Sequence, residues 1–261
     1  MAAALSVDLN ADVGEGMDDA QLLPYVTSAN VACGMHAGNP TTIDQTVGLA
    51  LACGVRVGAH PGYPDRANFG RVAMEIPADD LENLVVYQVA ALVGFVRSRG
   101  GRLTHVKPHG ALYHSGAEFP DVARAIVEGV RRVGTDLVLV GAAGSMLVGA
   151  GQEAGLPVAE EAFADRRYRP DGTLVPRGRP GAVIIDPEEA AEQAVGLARD
   201  GFVVADDSSR ISVRADTICL HGDTPGAAEI ARKIHERFRM TGIRIAPLDV
   251  ASAKREVGGA V

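Results

Sequence analysis

The stretch VDLNADVGEG, residues 7–16, decides how the rest of the chain is read. Asp8, Asn10 and Asp12 alternate with Val7, Leu9 and Ala11, and Glu15 follows between two glycines. An Asp-x-Asn-x-Asp run can open a calcium-binding EF-hand, but that loop needs Gly at its sixth position and Glu at its twelfth. Val13 and Asp19 stand there, and the flanks carry a strand pattern, so calcium is rejected. Period two belongs to a strand, whose same-face neighbours lie ~6 to 7 Å apart. One face is then Asp8, Asn10 and Asp12; the other is Val7, Leu9 and Ala11. In a barrel the apolar face would meet the helices and the polar face would point inward, rising to the mouth; a solvated strand end with a turn-forming Asp is the alternative.

Further strand-like runs follow at 28–34, 55–60, 102–109, 136–142, 157–163 and 216–222, each ended by Gly, Pro or Asp punctuation. Helical patterns separate them at 41–53, 77–99, 120–133, 145–154, 187–200 and 225–239, five beginning at or beside proline. Strands alternating with helices predict one α/β domain over residues 1–261 with a parallel sheet. A seven-stranded (β/α) barrel is the first expectation and a doubly wound open sheet the alternative. The barrel is favoured because titratable residues sit at the end of nearly every strand, where a barrel gathers its active site. Two segments break the alternation. Residues 164–183 hold five arginines and a Pro-Asp-Gly turn, and read as a hairpin or lid; residues 202–213 read as a second hairpin.

Composition narrows the function. Hydrophobic residues make up 47% of the 261, which indicates a globular chain, and the net charge of −8 argues against nucleic-acid or anionic-membrane partners. No apolar run approaches the ~20 residues of a membrane span, and the N-terminus lacks a signal-peptide pattern. Three cysteines without a CxxC pair read as reduced thiols, so a cytoplasmic location is expected.

The chemistry-bearing residues lie in Gly- and Pro-rich turns. ACGMHAGNP carries His36, GAHPGYPDR carries His60, and VKPHGALYH carries Lys107, His109 and Tyr113. Asp12 with His36, His60 or His109 would suit a divalent transition metal. His105 and His109 share an HxxxH spacing, but four extended residues span ~13 Å, too far for one ion unless the chain bends. In AEEAFADRRY, Glu160 and Glu161 face opposite ways, so at most one reaches the mouth, while Arg166 or Arg167 could clamp a carboxylate or phosphate. CLHGDTPGA adds His221 and Asp223 before a helix start. No GxxxxGK[ST] occurs, so a P-loop is excluded.

Six stretches, DLNADVGEG, ANVACGMHAGNP, GAHPGYPDR, HVKPHGALYH, EAFADRRYRPDGTLVPR and ICLHGDTPGA, occur in the order seen in the LamB/YcsF family, which the chain resembles from Asp8 to about Pro247. The resemblance implies an irregular seven-stranded barrel of the glycoside hydrolase/deacetylase type. It implies ATP-dependent cleavage of the lactam 5-oxo-L-proline to L-glutamate, together with partner subunits B and C. Family motif positions fall here on Asp8, Asn10, Asp12, Glu15, His36, His60, Lys107, His109, Glu160, Asp165, Arg166, His221 and Asp223. Met35 and Gly62 depart from the common Phe and Ser, and neither is titratable.

On this reading Asp12, with His60 or His109, is the expected general base, and Lys107 and Arg166 are the expected cations near phosphate and carboxylate. Asn10, Glu15, His36, Glu160, Asp165, Arg166, His221 and Asp223 are expected to bind substrate or phosphate. ATP would bring Mg²⁺, which could use Asp8 or Asp12. A site-bound divalent metal would draw on Asp8, Asp12, His36 and His60. Two other functions compete: a metal-dependent deacetylase or amidohydrolase acting on a small amide or carbohydrate, and a non-catalytic substrate-binding subunit.

Overall fold

The alternating N-terminal run folds as strand β1, Ser6–Val13. The computed structural model describes residues 5–248. In chain order β2 is Ser28–Ala32, β3 Arg56–His60, β4 Leu103–Val106, β5 Val138–Ala142 and β6 Val158–Phe163. An antiparallel pair, β7 Phe202–Val204 and β8 Arg210–Ser212, precedes β9, Thr217–His221, and β10, Arg244–Ile245. Strands β1 to β6 and β9 run parallel, and β9 pairs with both β6 and β1, so seven strands close a barrel. The short β10 adds to the outer start of β1. Among the described residues no helix is long and apolar enough to cross a membrane.

Helices form the outer layer. They are α1 Asp19–Leu22, α2 Pro40–Ala52, α3 Ala78–Ser98, α4 Gly110–Glu118, α5 Pro120–Val133, α6 Met146–Glu153, α7 Pro187–Val195 and α8 Ala227–Thr241. Their starts are chemically specified. Asn39 accepts from the Thr41 and Thr42 amides and forms a capping box ahead of Pro40. Ser145 and Asp186 cap α6 and α7 in the same sense. Helix α3 buries Leu81, Val85, Val89, Leu92 and Val96, a single stripe at helical spacing.

Two interiors result, and they differ in kind. The main apolar core lies between strands and helices, where Val7, Leu9, Ala11, Val31, Val57 and Val106 meet the helix layer. The barrel's inside is largely polar; its apolar wall is Val138, Val140 and Ala159 with Leu248 against them. Gly58 shows how tightly that inside is filled. A Cβ there would come 2.1 Å from Nε2 of His105, so only glycine leaves room for the imidazole.

Helix α4 had no counterpart among the helical patterns of the sequence. Its nine residues include two glycines and a serine, so local preference is weak. Burial of Leu112 and Tyr113, and the His109 carbonyl accepting from both their amides, hold it in place. In segment 164–183, Arg166 bridges Val183 and Tyr168 bridges Leu174, both antiparallel. Tyr168 also bridges Ala205, joining this excursion to the β7–β8 pair.

Candidate functional site

Strand register fixes the height of each inward side chain. Asp8 lies opposite Thr217, Asn10 opposite Cys219 and Asp12 opposite His221, so the β1 row climbs the barrel in step with β9. Asp8 is the floor. Its carboxylate accepts from Thr217 Oγ1 at 2.5 Å, Ser28 Oγ at 2.7 Å and Thr27 Oγ1 at 2.8 Å, and burial raises its pKa. Asp12 lies four strand positions further on, ~13 Å along the strand. The structure therefore does not bring Asp8 to the metal-ligand candidates His36 and His60, or to the mouth.

Above the floor sits a chamber centred on Lys107. Its ammonium contacts Asp12 Oδ1, Glu161 Oε1 and Cys219 Sγ, each at 2.9 Å. Asn10 Nδ2 donates to Glu161 Oε1 at 3.0 Å, and Asn30 Nδ2 donates to Asn10 Oδ1 at 2.7 Å and Asp12 Oδ1 at 2.9 Å. His105 Nε2 completes the layer 2.9 Å from Asn30 Oδ1; burial and Lys107 push its pKa down to about 3. Burial opposes the charge on Lys107, but Asp12, Cys219 and Glu161 outweigh it and hold its pKa well above the ordinary value.

At the top lies a histidine centre. Glu15 Oε1 is 3.0 Å from His36 Nε2, 3.2 Å from His109 Nδ1 and 3.8 Å from His60 Nε2. His60 Nε2 is 3.1 Å from His109 Nδ1 and 3.4 Å from Asp12 Oδ2. His36 stacks on His109 with ring centres 3.7 Å apart and planes 2° from parallel. All four side chains of Glu15, His36, His60 and His109 are buried. Gly70, at φ +66°, permits this packing, since a Cβ would meet His36 Cβ at 2.7 Å and His109 Cδ2 at 2.9 Å. Burial lowers the pKa of His36 to about 4 and also lowers that of His109. Burial would do the same to His60, but Asp12 and Glu15 more than offset it and raise its pKa. Burial opposes the charge of Asp12, yet His60 and Lys107 hold its pKa well below the carboxylate range. Burial likewise opposes the charge of Glu15, which is held low by its hydrogen bonds to His109 and His36.

The rim completes the site. Asp165, fully buried, accepts from the His221 amide at 3.1 Å and Thr224 Oγ1 at 2.6 Å, with His221 Nδ1 at 2.9 Å. His221 stacks on Phe163 with centres 5.4 Å apart. Asp223 pairs with Arg71 at 2.5 Å and lies 3.6 Å from Arg177. Arg166 is buried; its guanidinium donates to the Val175 carbonyl at 2.7 Å, and its Nε has no hydrogen-bond partner among the described residues. Burial and the neighbouring Arg177 lower its pKa to about 10.

Most of the sequence candidates thus converge, from Asn10 and Lys107 up to His221 and Asp223. Glu160 does not. It points out of the barrel, 3.4 Å from the half-exposed Arg214, and Glu161 points in. Sequence reasoning passed over Asn30 and Cys219, although Thr217, Cys219 and His221 alternate just as Asp8, Asn10 and Asp12 do. Arg71 and Arg177 sit in loops without periodicity and carried no such signal.

The A subunit of 5-oxoprolinase from Methylococcus capsulatus is 53% identical over 251 residues, covering 94% of this chain and 96% of the relative. The crystal structure of a lactam utilization protein from Thermus thermophilus superposes with a TM-score of 0.88 at 42% identity, covering 93% of this chain and all of that one. A T48 deacetylase, 12% identical with a TM-score of 0.52 over 97% of this chain and 93% of that one, shares the fold alone. The LamB/YcsF family pattern matches residues 7–253, and the chain belongs to that family.

Proposed function

We propose that this chain is the A subunit of a 5-oxoprolinase and carries the ring-opening step on 5-oxo-L-proline. The observation that carries the reading is the buried histidine centre, set beside Asp12 at the barrel mouth of a chain half identical to named 5-oxoprolinase A subunits.

A lactam carbonyl is protected by amide resonance and needs activation. Transfer of the ATP γ-phosphoryl group to the lactam oxygen, with ADP leaving, makes the ring carbon electrophilic. Water then adds to that carbon, and the ring C–N bond breaks as the nitrogen takes a proton, giving γ-glutamyl phosphate. A second water releases phosphate and leaves glutamate. The chain's part is to hold the ring over the histidines, take the proton from the attacking water at the Asp12–His60–His109 group and return it to the ring nitrogen. Arg166, with its free Nε, and Arg71 and Arg177 around it suit the carboxylate or phosphoryl group of the substrate. Asn30 and Lys107 set the position of Asp12 from below, and Asp165 sets His221.

Subunits B and C are the proposed partners, ATP with Mg²⁺ the proposed co-substrate of the complex, and segment 164–183 the proposed lid over the mouth. The proposed setting is the cytoplasm, where thiols stay reduced. The test is glutamate formation from 5-oxo-L-proline and ATP, with this chain alone and with B and C. Activity in the mixture, absent when this chain is omitted and lost with His109→Ala, is expected. A mixture that works equally well without this chain would sink the reading.

A further inference from the structure

The tautomers of the histidine centre can be assigned from their outer partners. His60 Nδ1 lies 2.7 Å from the Lys107 carbonyl and His109 Nε2 lies 2.8 Å from the Phe69 carbonyl. A carbonyl only accepts, so each of these nitrogens carries the ring proton. In the neutral rings the other nitrogens, His60 Nε2 and His109 Nδ1, are bare. They face each other at 3.1 Å, with Glu15 Oε1 3.2 Å from His109 Nδ1 and 3.8 Å from His60 Nε2. Lone pairs converge where a positive charge belongs.

The spacing identifies the kind of charge. Four ~2.1 Å bonds to a tetrahedral ion set their ligand atoms ~3.4 Å apart. Four of the six edges are 3.0 Å from Glu15 to His36, 3.2 Å from Glu15 to His109, 3.8 Å from Glu15 to His60 and 3.1 Å from His60 to His109. All four donor atoms lie within 4.8 Å of one another. The outer hydrogen bonds of His60 and His109 are those that orient imidazoles toward a metal. His36 has no such bond at Nδ1 among the described residues and is held by its stack on His109 instead. We propose that Glu15, His36, His60 and His109 form a binding site for a single divalent transition ion of the zinc class, held by Glu15 Oε1, His36 Nε2, His60 Nε2 and His109 Nδ1.

A second trio, Asp12, Cys219 and His221, is equally close-set, but the Lys107 ammonium already lies 2.9 Å from both Asp12 and Cys219. That place has its cation. Asp8 belongs to neither group, and Asp12 borders the first through His60 without being among its four donors. Imidazole nitrogens and one carboxylate favour Zn²⁺ or Co²⁺ over Mg²⁺ or Ca²⁺, which prefer oxygen. With the ion bound, His60 and His109 keep no free nitrogen, and Asp12, 3.4 Å from His60 and outside the four donors, is the member of the Asp12–His60–His109 group left to take the water proton.

The experiment is equilibrium dialysis of the chelator-stripped full chain against Zn²⁺, with elemental analysis, and the visible spectrum of the Co²⁺ form. Expected is one Zn²⁺ retained per chain, tetrahedral d–d absorption with Co²⁺, and loss of both in His109→Ala and in Glu15→Gln, with Cys219→Ser unaffected. Failure of the stripped wild-type chain to retain an ion overturns the proposal, whatever the variants do. So does an ion that survives both substitutions or is lost with Cys219→Ser.

Discussion

Two charged clusters share the barrel axis, the Lys107 chamber below and the histidine centre above, and the chain treats them in opposite ways. Below, the anions Asp12 and Glu161 meet a cation that the chain itself provides, and Asn10 and Asn30 take up further acceptors. Above, Glu15 and the facing nitrogens of His60 and His109 converge, and among the described residues no lysine or arginine pairs with Glu15. Breaking a buried ion pair leaves an uncompensated charge and destabilises strongly. The lower cluster is therefore tied to the fold, while the upper one is poised for something that arrives.

The largest expected effect falls on the upper cluster. Replacing His109 or His60 by alanine should cut glutamate production by the assembled complex by about 10²- to 10⁴-fold, the range for losing an acid–base group. The urea midpoint of the isolated chain should move far less. A variant that unfolds readily but keeps its turnover per folded molecule would reverse the assignment of the two clusters.

Next comes Lys107→Met, which should destabilise the chain by about 3 to 5 kcal/mol because Asp12 and Glu161 lose their buried partner. Adding Asp12→Asn and Glu161→Gln should restore most of that loss, since no charge is then stranded. Urea unfolding of the single and triple variants measures both. A Lys107→Met chain as stable as the parent would show that the chamber is solvated and the contrast with the histidine centre false.

Why the two clusters could not be told apart in the sequence is a matter of what period two encodes. Alternation assigns Asp8, Asn10 and Asp12 to one face but gives no height, so Asp8 was expected among the metal ligands although it belongs to the barrel floor. Height comes from register with β9, a strand about two hundred positions further along the chain. The seven strands themselves were legible because each is apolar, short and punctuated. Helix α4 was not, because its stability comes from burying Leu112 and Tyr113 rather than from its own residues. The sequence marks Lys107 as a cation expected near phosphate and carboxylate; the fold surrounds it with Asp12, Glu161 and Cys219.

A smaller effect tests the rim. Asp165→Asn should cost about 1.5 to 3 kcal/mol near neutral pH, the range for hydrogen bonds to a charged group. Burial opposes the charge of Asp165, but His221 and Thr224 outweigh it and lower its pKa in the folded chain. A depressed carboxyl contributes stability above its unfolded pKa of ~3.9 and loses it as pH falls through the folded value. The gap between parent and Asp165→Asn in unfolding free energy should accordingly narrow below about pH 4. A gap that widens toward acid would mean that Asp165 is not the ionised partner of His221.

The smallest effect should come from the residue next to the Lys107 chamber on the wrong face. Glu160 and Glu161 are neighbours in β6, and successive strand side chains point to opposite faces. Glu161 meets Lys107 in a buried contact, so Glu161→Gln leaves the ammonium one anion short. Glu160 meets Arg214, whose side chain is 53% exposed, across 3.4 Å on the outside of the barrel. An ion pair that open to water contributes about 0 to 1 kcal/mol. Glu160→Gln should then leave turnover of the complex unchanged and shift the unfolding free energy by no more than this, while Glu161→Gln lowers both. Equal losses from the two substitutions would mean that the phase of β6 is wrong by one residue, and with it the ring of partners assigned to Lys107.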